Sequence, residues 1–322
     1  MESDGPDHEM LQDFVKVTVK VLFFIGKIVY YYAMLIPLVS IVSTNQEYKI
    51  WKKTPTPMTI LGIIKCYVFN MVWMAVCLIM SISLLPMWLQ RGCGNSVQVE
   101  ANAVMEKLVA IGIIRCFIGS VEIENAEKIP PISLFPGKDH APAPIFVANH
   151  CSQLDTAVVY NVVRRFKWIA KESVQVIPGV GNLLSLGDHI FIKRKGKNKK
   201  SVKNLYEQSN AAIQDGVSMV IFPQGTRRMT TRLPFKDGAF KIAKENESKL
   251  VPISINIPLN VWNTLYPINL IWKQPVQKII VTIHDPINVK KDDDIEELKK
   301  KCDDVIYSKL PPLYHGSDKK SD

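Results

Sequence analysis

The stretch Ile145-Phe146-Val147-Ala148-Asn149-His150-Cys151-Ser152-Gln153-Leu154-Asp155-Thr156 runs from four apolar residues into a polar turn. A short apolar run bounded by turn residues reads as a buried strand, and Ser152–Arg164 beyond it reads as a helix. His150 then stands at the end of a strand, with Asp155 five positions later in the first turn of a helix. Two readings fit that placement. Ser152-x-x-Asp155 is a capping box, and a carboxylate in a first turn suits the helix dipole. Alternatively, the carboxylate reaches back to the imidazole. The rest of the chain has to choose between them.

Downstream the pattern keeps alternating. Phe166–Ala170, Ile190–Lys193, Val217–Phe222, Leu250–Ile257 and Lys278–Ile283 read as strands. Ser201–Gln214, Phe240–Glu245 and Ile295–Leu310 read as helices, the first and last with amphipathic spacing. Strands alternating with helices define an α/β domain, placed here at 145–310. A proline-rich loop at 124–144 precedes it, and a polar tail, 311–322, follows.

The N-terminal third has a different composition. Cys66 to Leu89 carries no charge, and as a helix it would cover roughly 36 Å, enough to cross a hydrocarbon core of about 30 Å. Val21–Val42 is a second apolar segment, interrupted by Lys27 and Pro37, and Leu108–Val121 a third, interrupted by Arg115. Tyr30, Tyr31, Tyr32, Trp51 and Trp88 suit a membrane interface. Residues 21–123 are therefore expected to form a membrane-associated helical region behind an acidic tail, 1–20. Lys49, Lys52 and Lys53 between the first two segments place that loop in the cytosol by the positive-inside rule; a hairpin dipping into one leaflet is the other topology that fits.

The formal net charge of +10 points to an anionic partner. The six cysteines form no CxxC pair and read as free thiols of a reducing compartment. Lys193–Lys200 is basic, but its interleaved Gly and Asn and its lack of aromatics argue against nucleic-acid binding. Lys171 and Arg194 place two cations at opposite ends of a Gly/Pro-rich loop. In Val220-Ile221-Phe222-Pro223-Gln224-Gly225-Thr226-Arg227-Arg228 a strand ends at proline, a glycine permits close backbone approach, and a hydroxyl and two guanidiniums follow. Arginine suits bidentate phosphate recognition, although a tight turn with solvated arginines would read the same way.

Four blocks occur in order: Asn149-His150-x4-Asp155, Phe191-Ile192-x-Arg194, Phe222-Pro223-x-Gly225-Thr226-Arg227 and Val251-Pro252-Ile253, reinforced by Pro234-Phe235-Lys236-Asp237-Gly238-Ala239-Phe240. Over about 120–310 the chain resembles the glycerolipid acyltransferase family, most of all the 1-acylglycerol-3-phosphate (lysophosphatidate) acyltransferases. The resemblance implies a mixed sheet flanked by helices, with an N-terminal membrane-embedded helical segment. It implies His150 as general base and Asp155 as its orienter, the base half of a serine-protease triad with the substrate hydroxyl in place of serine. It assigns acceptor-phosphate binding to Arg194, Gly225, Thr226 and Arg227, with Gln224 in the same block and Lys171 as a further candidate. Pro252 is expected in the acyl pocket or in a structural role. The first-turn amides near Cys151 and Ser152 are expected to steady the oxyanion. Acyl-CoA is the implied donor, a lysophospholipid the acceptor and membrane lipid the surroundings, with no metal or other cofactor called for.

Two positions depart from the family pattern. Gln224 stands where glutamate is usual, which raises a question about acceptor preference, and Asp188 stands where glycine normally precedes the Phe-Ile run. Cys151 beside His150 reads as a buried small hydrophobe, since neighbouring side chains at a strand end point apart. There is no G-x-S-x-G elbow of a serine lipase. Lys319-Lys320 near the C-terminus resembles an endoplasmic-reticulum retrieval signal. The alternatives kept are another acceptor, such as glycerol-3-phosphate, and a non-catalytic lipid-binding protein.

Overall fold

The structure, a computed structural model, describes residues 6–91, 96–131, 141–163, 165–193, 199–271 and 278–316. The chain opens with three long helices, α1 (Pro6–Trp51), α2 (Ile60–Arg91) and α3 (Ser96–Phe117). It continues through β1 (Val121–Glu124), β2 (Ile145–Ala148), α4 (Leu154–Val162), β3 (Phe166–Lys171), α5 (Val180–Leu186) and β4 (Ile190–Ile192). Then come α6 (Lys199–Gln214), β5 (Ser218–Ile221), α7 (Gly238–Asn246), β6 (Leu250–Asn256), β7 (Ile279–Ile283) and α8 (Ile295–Ser308). The seven strands form one sheet in the order β1-β7-β6-β2-β5-β3-β4. Every pairing is parallel except β6 with β7, so the sheet is mixed.

Hydrophobic pattern explains the central strands. Ile145, Phe146, Val147 and Ala148 are all fully buried, as a strand covered on both faces requires. β5 and β6 lie on either side of β2 and run parallel to it, so the segments leaving β2, β3 and β5 emerge at one edge of the sheet.

The boundaries differ from the expected ones in three places. Residues 6–20 belong to α1 and not to a separate tail. The sheet begins at β1, ahead of the 124–144 loop, because alternating Val121 and Ile123 pair with β7. The last described turn, Pro312–His315, buries Tyr314, whose Oη accepts from Ile257 N at 3.2 Å and donates to Ile257 O at 3.0 Å. Short segments with little periodicity, such as β1 and α5, carry too weak a pattern to be read from sequence.

Only α2 is long and apolar enough to cross a membrane, over Ile60–Met87, among the described residues. Its two faces differ. Cys66, Phe69, Met74, Cys77 and Leu84 are buried, whereas Ile60, Ile64, Val68, Ile79, Ile82 and Leu85 are exposed. The buried face lies along the α/β domain, and close backbone approach sets the contact. Gly179 has a positive φ of 71°, and a Cβ added there would lie 2.1 Å from Met74 O and 2.5 Å from Leu78 N. Only glycine lets the start of α5 rest on α2 in this conformation.

Gly179→Ala should therefore push α5 away from α2. A loss of about 1–3 kcal/mol is expected from the backbone strain, read as a lower unfolding midpoint in detergent. An unchanged midpoint would show that this contact contributes little.

Candidate active site

Asn149 governs how the chain leaves β2. Its Nδ2 donates to Ile255 O at 2.9 Å, and its Oδ1 accepts from Ile255 N at 2.8 Å, adding a side-chain rung beyond the β2–β6 ladder. The next residue, His150, accepts at its carbonyl from Arg228 N at 2.8 Å and donates its own amide to Gln224 Oε1 at 2.7 Å. Both loops that follow the neighbouring strands β2 and β5 are thereby tied at one residue.

The His150 ring is held on two sides. Its Nδ1 is 2.8 Å from Asp155 Oδ2, and its face stacks on Phe222 with centroids 4.1 Å apart and planes 9° from parallel. Phe222 stacks in turn on Trp168 at 5.4 Å. Asp155 is fully buried; its Oδ2 also accepts from Cys151 N at 2.6 Å and Ser152 N at 3.0 Å, and its Oδ1 accepts from the Cys151 thiol at 3.2 Å. Asp155 Oδ2 accepts from both backbone amides, and the matching tautomer has Nδ1–H donating to it, with the lone pair on Nε2. His150 lines the cavity described below. Asp155 thus both caps the turn and orients the imidazole.

Other expected features fall differently. The Cys151 and Ser152 amides are committed to Asp155, and the Gln153 amide donates to Glu47 Oε2 at 3.1 Å, so these first-turn amides are not free for an oxyanion. The cause is chemical: a buried carboxylate in the turn claims the nearest donors. Cys151 is fully buried, and burial together with Asp155 raises its thiol well above the ordinary value, the opposite of an activated nucleophile.

Gln224 is also elsewhere than expected. Buried behind the catalytic loop, it donates from Nε2 to Tyr307 Oη at 2.8 Å on α8 while accepting from the His150 amide, and it does not line the cavity. A glutamate there would accept from both; the glutamine reverses one hydrogen bond and removes a buried charge. The departure at Asp188 has a conformational explanation. Its φ is 55°, a value glycine adopts freely and aspartate tolerates, and its carboxylate is paired with Lys167 at 2.5 Å. Pro252 is buried in β6, with its carbonyl accepting from His284 N at 3.0 Å at the end of the β6–β7 ladder, where the proline forgoes only the reciprocal N–H bond. Of its two expected roles, the structure places it in the sheet and away from the cavity.

Gly225, Thr226, Arg227 and Lys171 all line a cavity of about 810 Å³ together with His150. Gly225 has a positive φ of 69°, and a Cβ there would come within 2.6 Å of Lys236 Nζ, which sets a further cation beside this turn. Arg194 lies outside the described residues. The remaining walls are mostly apolar and come largely from the N-terminal helices and α5, including Val42, Trp73, Met74, Val109, Leu183 and Leu184. One buried charge interrupts them. Glu106 accepts from Tyr160 Oη at 2.9 Å, Asn102 Nδ2 at 2.7 Å and His189 Nε2 at 3.0 Å, while His189 Nδ1 accepts from Trp168 N at 2.9 Å. This network fixes Trp168, and through it the aromatic stack beneath His150. The sequence reading assigned no role to Asn149, Trp168, Glu106 or Glu47; only Asn149, adjoining the histidine, carried a local signal.

With this geometry in view, the comparisons with known proteins place the chain. Residues 120–256 match the model of the Acyltransferase family. A 1-acyl-sn-glycerol-3-phosphate acyltransferase of Chlamydomonas reinhardtii is 28% identical over 186 residues, 56% of this chain and 54% of that one. One from Saccharomyces cerevisiae is 29% identical over 116 residues, 35% of this chain and 38% of that one. The crystal structure of the 1-acyl-sn-glycerophosphate (LPA) acyltransferase of Thermotoga maritima shares the fold, with a TM-score of 0.54 and 22% identity over 77% of this chain and 93% of that one. Residues 120–256 are thus similar to the Acyltransferase family, and the mixed α/β sheet is the fold shared with the Thermotoga maritima enzyme. The two curated relatives are both 1-acyl-sn-glycerol-3-phosphate acyltransferases, and the chain is similar to them over these stretches. The matched stretch spans about half or less of those two curated relatives' lengths.

Because Gln224 holds the His150 amide and stands off the cavity, Gln224→Ala should lower kcat about tenfold or more while leaving the acceptor KM within a few-fold. Gln224→Glu should retain most activity, since both partners can donate to a carboxylate. A selective rise in acceptor KM in either variant would return Gln224 to the substrate site.

Proposed function

We propose that the protein transfers an acyl group from acyl-CoA to the sn-2 hydroxyl of lysophosphatidate, giving phosphatidate. The observation that carries this reading is the His150–Asp155 pair, at 2.8 Å, on a cavity with cations at one part of its wall and apolar helices around the rest. His150 Nε2 removes the hydroxyl proton as that oxygen attacks the thioester carbonyl. The tetrahedral intermediate then collapses, the C–S bond breaks, and the imidazolium returns the proton to the leaving CoA sulfur. Asp155 holds the ring and stabilises the imidazolium, as in the base half of a triad. Positioned proton transfer of this kind contributes about 10²–10⁴ in rate.

Arg227, Thr226 and Lys171 are assigned to the acceptor phosphate and Arg194 to the same anion by family precedent, since guanidinium recognises phosphate bidentately. The apolar wall from α1, α2, α3 and α5 suits the fatty chain. The one-sided exposure of α2 supports a protein lying against lipid, its apolar stripe toward the membrane and its buried face on the domain. The proposed location is the endoplasmic-reticulum membrane with the catalytic domain facing the cytosol, supported by the apolar α2 and by the free thiols among the described residues. Lys319-Lys320 lies outside the described residues.

The test is CoA-thiol release by membranes containing the protein, with oleoyl-CoA and either lysophosphatidate, glycerol-3-phosphate or lysophosphatidylcholine. Release with lysophosphatidate alone, reduced at least about a hundredfold by His150→Ala, is expected. Release with another acceptor would move the substrate, and release unaffected by the substitution would remove His150 as the base.

A further inference from the structure

Glu47 lies near the end of α1, far in sequence from every motif of the acyltransferase domain, and its side chain has no solvent exposure. A carboxylate in such a place must be matched by donors. Glu47 Oε1 accepts from Trp51 Nε1 at 2.9 Å and from the Ser152 hydroxyl. Its Oε2 accepts from Gln153 N at 3.1 Å and Arg227 Nη1 at 2.9 Å. The preceding residue contributes as well, with Gln46 Oε1 accepting from Arg227 Nη2 at 3.3 Å.

One carboxylate thus joins two loops that leave different strands. Ser152 and Gln153 follow His150 on the loop after β2, and Arg227 lies on the loop after β5. Arg227 and Gln46 both line the cavity, so the contact lies at its wall. A guanidinium has five N–H groups in a rigid fork. Two of them are used on α1, which leaves three and fixes the plane in which they can meet an anion. Without Glu47 the arginine would keep its charge and lose its direction.

We propose that Glu47 is a positioning residue for acceptor binding: it sets the Arg227 guanidinium toward the acceptor phosphate. This inference rests on the assignment of Arg227 to the acceptor phosphate. It makes α1 part of the acceptor site as well as an apolar wall, so a helix outside the α/β domain also determines how the headgroup is held.

The experiment is a double-mutant cycle on the full chain in detergent micelles, with Glu47→Gln, Arg227→Ala and the double variant assayed against lysophosphatidate and oleoyl-CoA. Glutamine keeps the size of the side chain, but its amide nitrogen cannot accept from the donors that the second oxygen served. Glu47→Gln should raise the acceptor KM about tenfold, leave the KM for oleoyl-CoA within twofold, and have no further effect in the Arg227→Ala background. Equal effects in both backgrounds, or a fall in kcat with an unchanged acceptor KM, would overturn the proposal and leave Glu47 a purely structural group. Wild-type turnover on a different acceptor would revise the function while the same cycle, run on that acceptor, still decides the role of Glu47. If the wild type turns over no acceptor, the cycle is read from the rise in unfolding midpoint produced by lysophosphatidate. Coupling of Glu47 to Arg227 in that shift upholds the proposal, and its absence overturns it.

Discussion

Asp155 brings a negative charge into a position with no solvent exposure, and the surrounding chain is arranged to hold it. Two backbone amides, a thiol and an imidazole nitrogen all point at one carboxylate. Burial of a charge without such donors would cost several kcal/mol. The same four contacts close the turn after β2, make the Cys151 thiol inert and define which ring nitrogen of His150 is free. The local fold and the proposed acid–base chemistry therefore have a single physical cause.

Two further buried carboxylates repeat the arrangement at longer range. Glu47 binds donors from the loops after β2 and β5, while Glu106 binds His189, Tyr160 and Asn102 beneath the aromatic stack. Both come from the N-terminal helices. Those helices thus do more than present an apolar surface: they supply fixed charges that anchor polar side chains of the α/β domain. Gly179 and Gly187 mark where this docking is tightest, since a Cβ at Gly187 would lie 2.6 Å from Asn102 Nδ2 and 2.8 Å from Glu106 Oε1.

Much of the site was legible before the structure, and the reasons are specific. His150, Asp155 and the Gly225–Arg227 turn lie in short motifs whose residue types reflect local chemistry. Asp188 could be flagged because its position favours glycine, and its φ of 55° supplies the reason. Gln224 was misplaced because a motif records which residues are neighbours in sequence and not which way each side chain points. The oxyanion role expected of the Cys151 and Ser152 amides failed for a related reason, since helix starts offer free donors only when no nearby carboxylate has taken them.

The sequence by itself determined the alternation of strands and helices, the apolar α2 and the composition of the motifs, because hydrophobic period and turn chemistry are local properties. Tertiary structure alone decided that the loops after β2, β3 and β5 share one edge of the sheet, since that depends on parallel pairing between distant segments. It also decided that Glu47 meets Arg227, a contact across 180 positions of chain that no local pattern encodes. Its reason is electrostatic: a carboxylate buried by helix packing needs donors, and the donors within reach belong to the candidate active site.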